Sequence, residues 1–192
     1  MQGFLGVSQA IDWVNEKIGT IANWLVLLCC LVSAGNATLR YGLNYMPNDI
    51  RDFLAKHVVT NAALELQWYM FAYMVMLGAA YTLKKNEHVR VDLVYGNVSE
   101  NTQNWIDVLG CIFFLLPMCV LMVYITWPWF IEAWRTGESS SNAGGLLRWP
   151  VKLALPVGFA LLFVQGISEL IKSIASLNGY VKTEGKYERP LQ

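Results

Sequence analysis

The sequence predicts an all-α integral membrane fold: four transmembrane helices with an N-terminal interfacial helix, in a single membrane domain over residues 1–192. Three observations predict it. Of the 192 residues, 55 % are hydrophobic and 15 % charged, whereas soluble domains carry roughly a quarter charged residues. Four runs approach the ~20 apolar residues that a helix needs to cross the hydrocarbon of a bilayer. Tryptophan and tyrosine gather where those runs end, as amphipathic rings do at the headgroup layer.

The elements follow in chain order. Val7, Ile11, Val14 and Ile18 share one helical face and Asp12 and Glu16 another, the pattern of a helix lying in the interface and leading into the first span. That span, Ile18 to Leu39, is charge-free between Lys17 and Arg40. Acidic residues precede it and no A-x-A-like site follows it, so it is expected to be retained rather than cleaved as a signal. Pro47-Asn48-Asp49 then starts a short surface helix with Ile50, Phe53, Leu54 and His57 on one face and Asp49 near its N-cap.

The second span, Leu66 to Leu83, lies between Glu65 and Lys84. Ser33, Ala34, Gly35 and Ala37 in the first span, with Gly78, Ala79 and Ala80 in the second, offer small surfaces on which helix backbones can approach. The third span, Val108 to Ile131, lies between Asp107 and Glu132. Pro117 should kink it, and Trp127-Pro128-Trp129 should mark its outer end. A Gly/Ser-rich stretch from Thr136 to Gly145 reads as a flexible connection. Trp149-Pro150 opens the last helix, whose span, Leu153 to Ile174, is interrupted only by Glu169 and Lys172.

Four spans put both termini on one side. A cytoplasmic placement sets Lys17, Lys84, Lys85, Arg90, Lys172, Lys182, Lys186 and Arg189 inside, against Arg40, Arg51, Lys56, Arg135, Arg148 and Lys152 outside. The bias is modest, and the Lys84-Lys85 pair hard against the second span is its strongest element. Net charge is zero and no basic block occurs, so no nucleic-acid partner is expected.

Chemistry has few places to reside. His57 and His88 fall on opposite sides of the membrane in this topology, which makes a haem-bearing redox anchor a poor fit, although methionines could also ligate iron. Cys29, Cys30, Cys111 and Cys119 lie in apolar runs without C-x-x-C spacing and read as buried, inert thiols. No phosphate-binding loop, nucleophile elbow or zinc-protease helix is present. No catalytic residue, metal or cofactor is expected.

Polar groups near the bilayer are costly and need partners. Glu65 and Gln67 open the second span and Arg40 closes the first on the same side, where an ion pair, interfacial snorkelling or a functional contact would each account for them. Gln165 and Glu169 are one turn apart, with Lys172 three residues on, and are expected to hydrogen-bond between helices rather than meet solute. Four short spans without matching broken helices describe a partner rather than a whole carrier.

Residues Glu65 to Gly96 combine an acidic helix start at Glu65, a small patch at Gly78-Ala79-Ala80, a basic exit at Lys84-Lys85 and the run His88-Val-Arg90-Val-Asp92. This stretch resembles the small, Q-type (DctQ-like) membrane subunit of tripartite ATP-independent periplasmic (TRAP) transporters. The resemblance extends more loosely to the four-span layout, the Trp149-Pro150 helix start and the polar tail. It implies a bacterial inner-membrane complex in which an extracytoplasmic solute-binding protein captures an organic acid. A large permease subunit would carry that solute with a sodium gradient, and the small subunit, bedded in membrane lipid, would act as its scaffold. The alternative is the membrane anchor of a redox enzyme. In the motif, Val89, Val91 and Leu93 alternate with His88, Arg90 and Asp92, which allows a strand, or a helix with His88 and Asp92 one turn apart. The motif reads as a cytoplasmic-side structural node holding the loop against the helices, or as a solvated polar turn.

Overall fold

The computed structural model describes residues 2–57, 61–87 and 98–180. Among these residues the chain is helical, without strands. Helix α1 (Gln2–Gly42) passes through a 3-10 turn (Leu43–Tyr45) to the short α2 (Asn48–His57), which is followed by α3 (Asn61–Lys85). Helix α4 (Glu100–Gly110) continues through a π-helical turn (Cys111–Leu115) into α5 (Leu116–Thr136), and α6 (Trp149–Leu177) completes the bundle.

Three stretches are long and apolar enough to cross a membrane: Gly3–Tyr45, Asn101–Thr136 and Trp149–Leu177. The expected second span forms the 25-residue helix α3. Gln67, Trp68, Tyr69, Tyr73, Tyr81 and Thr82 lower its hydropathy, and it does not join those three. The expected interfacial segment is not set apart by any break: α1 is one helix of 41 residues. At 1.5 Å per residue it is about 60 Å long, twice the ~30 Å hydrocarbon thickness.

Pro117 takes a different form from the expected simple kink. A proline ring clashes with the carbonyl four residues back and removes one helical hydrogen bond. Here the wide π-turn at Cys111–Leu115 ends just before it, so Pro117 falls in the first turn of α5. A π-turn is one of the few ways a long helix absorbs such an insertion without stopping. Trp127-Pro128-Trp129 is not the end of that helix, which runs on to Thr136 and stops at Gly137, whose φ of 61° is the left-handed conformation glycine supplies at helix C-termini.

Helix α6 is the hub. It packs against α1, α3, α4 and α5, while α1 and α3 pack on each other. The interior consists of small residues, including the fully buried Ala80, Ala133, Ala154 and Ala175, together with the polar Ser8, Asn15, Gln165 and Ser168. Large apolar side chains point outward instead, among them Phe113, Phe114, Tyr124 and Leu31. This inversion is expected where lipid is the solvent and helices associate through close packing and hydrogen bonds.

The tight helix contacts use glycines other than those expected. A Cβ on Gly158 would lie 2.6 Å from the Met76 Cβ and 2.9 Å from its carbonyl oxygen, so α6 meets α3 here at backbone distance. Gly19 meets the Tyr81 ring on α3 in the same way. Gly35 and Gly78 have nothing within 4 Å and face outward.

Candidate functional site

Two polar clasps, one at each end of the bundle, gather most of the bonded ionisable groups among the described residues. The first joins α1 to α6. Ser8, Asp12, Asn15, Gly19 and Ala22 recur at spacings of four and three, so they form one stripe along α1, and all but Asp12 are buried. Gln165, Ser168 and Lys172 recur likewise on α6. Antiparallel packing brings the stripes together.

Gln165, fully buried, sits at the centre of this clasp. Its Nε2 donates to Asp12 Oδ1 at 2.9 Å and to Glu169 Oε1 at 3.0 Å. Its Oε1 accepts from Asn15 Nδ2 at 2.7 Å. Two carboxylates thus fix which way both amides face, leaving Asn15 Oδ1 without a partner among the described residues. Ser168 Oγ donates to Asp12 Oδ1 at 2.8 Å and lies 2.7 Å from Ser8 Oγ. Lys172 Nζ closes the set, donating to Asp12 Oδ2 at 2.9 Å and Glu169 Oε1 at 2.5 Å. Lys84, at the end of α3, donates to Glu16 Oε2 at 2.7 Å and to the Asp12 carbonyl at 3.0 Å, drawing a third helix into the same end. Its neighbour Lys85 lies 5.7 Å from the Tyr81 ring centroid.

The second clasp holds the α5–α6 connection, which is ordered by hydrogen bonds rather than free as its Gly/Ser content implied. Glu65, buried in the first turns of α3, accepts from the Leu146 backbone N–H at 2.7 Å, from Asn142 Nδ2 at 2.9 Å and from Ser140 Oγ. A Cβ on Gly145 would stand 2.5 Å from the Ser140 Cβ, so the loop closes over the carboxylate only with glycine there. Tyr69 donates to the Leu147 carbonyl at 2.8 Å and Tyr73 to the Pro150 carbonyl at 2.7 Å. Behind the loop, Glu138 accepts from Lys152 and from Arg148, while the Lys152 ammonium lies 4.4 Å from the Trp129 ring centroid. Trp134 and Trp149 meet edge to face at 4.4 Å.

Hydrogen bonds set the charge state of this clasp. The Ser140 hydroxyl first, then the Leu146 N–H and the Asn142 amide, hold the Glu65 carboxyl below the ordinary glutamate range. The Lys152 ammonium, with Arg148 behind it, does the same for Glu138. Both stay ionised near neutrality, and each is occupied by partners within the chain.

The predicted site residues separate accordingly. Gln165, Glu169 and Lys84 meet in the first clasp and Glu65 holds the second. Arg40 makes no ion pair among the described residues, and Glu65 is bonded to the loop instead. Gln67 contributes its backbone carbonyl, 3.6 Å from Cys29 Sγ. Gly78 lines an open shallow groove with Met74, Val75, Ala79 and Thr82. His88, Arg90 and Asp92, and with them the choice between strand and helix, lie outside the described residues.

Sequence reasoning passed over Ser8, Asp12, Asn15 and Ser168 because it treated the polar face of α1 as solvated. The readable signal was the matched polar stripe on α6. No group of three or more His, Cys, Asp or Glu side chains able to hold a metal occurs among the described residues. The four cysteines are unpaired, and Cys111 Sγ donates to the Gly166 carbonyl at 3.3 Å.

Comparison with known proteins points the same way as the motif. The family model described as "Tripartite ATP-independent periplasmic transporters, DctQ component" matches residues 50–176. That stretch holds α2 to α6 and leaves out α1 with its half of the first clasp. The C4-dicarboxylate TRAP transporter small permease protein DctQ of Pseudomonas aeruginosa is 26 % identical over 122 residues, 59 % of this chain and 58 % of that relative. The match thus spans less than two thirds of the relative's length. No solved structure matches.

Proposed function

The chain belongs to the DctQ-component family of tripartite ATP-independent periplasmic transporters, and from that premise we propose that it is a scaffold: the small membrane subunit against which a large permease subunit works. The family makes it a transporter component and not an enzyme. One observation carries the scaffold reading: the chain's polar side chains clasp its own helices while its large apolar side chains face outward. A protein that binds solute for itself needs polar groups free for the solute. Here Asp12, Glu65, Glu138, Gln165 and Lys172 are all engaged within the chain.

In this reading Leu66 to Leu83 of α3 is the fourth span, with Glu65 just outside it. Its aromatic and polar residues find intrachain partners at Tyr69 and Tyr73, and its exposed Phe71 and Val75 face lipid or the permease. The outward groove at Gly78 is where a permease helix would approach closely, as small residues permit. Both termini are cytoplasmic, and the complex sits in the bacterial inner membrane. An extracytoplasmic binding protein delivers the solute and a sodium gradient drives its uptake. The named relative's C4-dicarboxylate makes an organic acid the solute class to test first.

The test is reconstitution. Vesicles holding the large permease, with the binding protein and solute outside, should take up solute on a sodium gradient only when this chain is present. The half-saturating concentration should be that of the binding protein. Uptake by the permease alone at the full rate would overturn the scaffold reading. A cysteine at Asn97 in intact cells tests the orientation separately: it should be shielded from an impermeant outside reagent, and ready labelling would invert the topology.

A further inference from the structure

We infer that Asn23, on the outward face of α1, is an intramembrane docking residue whose carboxamide hydrogen-bonds a polar side chain on one transmembrane helix of the permease subunit. This rests on the scaffold reading and adds to it a contact on α1.

Depth sets the chemistry. Asp12 of the first clasp and Cys29, whose Sγ lies 3.6 Å from the Gln67 carbonyl beside the second, bracket Asn23 along α1. At 1.5 Å per residue, Asn23 lies about 16 Å outward of Asp12 and about 9 Å inward of Cys29, within the hydrocarbon layer. Its side chain is exposed on the bundle surface and makes no hydrogen bond among the described residues. Acyl chains offer a carboxamide neither donor nor acceptor, and an amide left unpaired at this depth is costly. A lysine could reach the headgroups with its long stem, but asparagine is too short to do so.

The surface around Asn23 admits a helix. Thr20, Leu27, Cys30 and Ala34 lie on the same face at spacings of three and four and are exposed with it. Leu27 apart, they are small, and Thr20 Oγ1 is turned back onto the Glu16 carbonyl at 3.0 Å. A partner helix can therefore come close enough for a short carboxamide to bridge the gap. The next face of α1 carries the large, exposed Trp24, Leu28 and Leu31, and is the one suited to lipid.

A second copy of this chain fits the face less well. Glu16 lies on it two turns before Asn23, with its side chain 54 % exposed and Lys84 behind it at 15 %. Two copies paired about an axis along the membrane normal would set Glu16 opposite Glu16, and like charges so placed repel. A different subunit carries no such restriction.

The full chain should be co-expressed with the permease and compared with variants at Asn23. Asn23→Leu should lower the fraction of permease that co-purifies in mild detergent about fivefold, the reach of one hydrogen bond between helices in a membrane. Asn23→Gln, which keeps the carboxamide, should restore most of it. The thermal midpoint of the isolated Asn23→Leu chain should not fall, since this side chain holds nothing within the chain. A benzophenone side chain introduced at Leu27 should photo-cross-link to the permease in membrane vesicles, and one at Leu28 to lipid. Normal co-purification of Asn23→Leu, a lowered midpoint of the isolated variant, or a Leu27 adduct with lipid alone would overturn the inference. So would a Leu27 adduct with a second copy of this chain, which would assign the face to self-association. None of these outcomes touches the scaffold reading, which fails instead if the permease alone takes up solute at the full rate.

Discussion

Asp12 on the first helix and Lys172 on the last pair at 2.9 Å, although 160 residues separate them in sequence. The pair is partly buried and is shared with Gln165, Ser168 and Glu169, so removing either end strands charged or polar groups where lipid rather than water surrounds the bundle. Asp12→Ala and Lys172→Ala should each destabilise the purified protein by about 1–2 kcal/mol, the range for hydrogen bonds to charged groups tempered by the modest values met in membranes. The double variant should cost less than the sum of the two. Denaturant titration in detergent checks this, and strict additivity would mean the pair is not coupled.

Gly145 should tolerate no side chain. Alanine there would press against Ser140 and the Glu65 carboxylate, so the loop must lift or lose its bonds to Glu65, at about 1–3 kcal/mol. Increased proteolysis between Thr136 and Gly145 in the Gly145→Ala protein is the expected signature. Unchanged protection would show that the loop does not depend on this closure.

The second clasp should loosen in acid. Glu65 and Glu138 both have folded-state pKa values below the ordinary range. The native state therefore binds fewer protons than the unfolded one in that interval, and stability falls as pH falls. The contribution is fully present above about pH 4.3, the ordinary glutamate value, and is lost as pH drops through the lower folded-state values. Trp134 and Trp149 border this clasp, so tryptophan emission should shift over that interval. Glu138→Gln should diminish the shift. An identical acid response in the variant would place the transition elsewhere.

Much of the helical layout was legible because lipid imposes one strong rule: long uncharged runs become helices. The same solvent hid the interior. In a soluble helix the charged face of α1 would be wet, so Asp12 read as a surface residue like the exposed Glu16; in a bilayer the stripe of Ser8, Asp12 and Asn15 is the one that packs. The π-turn before Pro117 was not readable, because a proline specifies a local clash but not how the helix relieves it. Gly78 and Gly158 look alike in sequence. Which glycine meets a neighbour depends on helix rotation, and composition does not determine that.

That difference between the two glycines provides the sharpest test of the scaffold reading. Gly158 faces Met76 inside the chain, whereas Gly78 faces an open groove. Gly158→Leu should drive α6 away from α3 and cost more than about 3 kcal/mol, beyond the usual range of overpacking, because one opposing atom is backbone. Little folded protein should be recovered. A Cβ at Gly78 meets nothing within 4 Å and the groove leaves room beyond it, so the isolated Gly78→Leu protein should keep its helicity and its stability within about 0.5 kcal/mol of the parent, as surface changes do. Its effect should appear only in the complex. A leucine in a small-residue groove holds a partner helix at a distance, so co-purification with the permease should weaken and uptake should fall in proportion. Size-exclusion chromatography of the co-expressed pair, beside the midpoint of the isolated chain, separates these outcomes. A Gly78→Leu protein that assembles normally would mean the groove meets lipid, and the permease contact would have to be sought on another face.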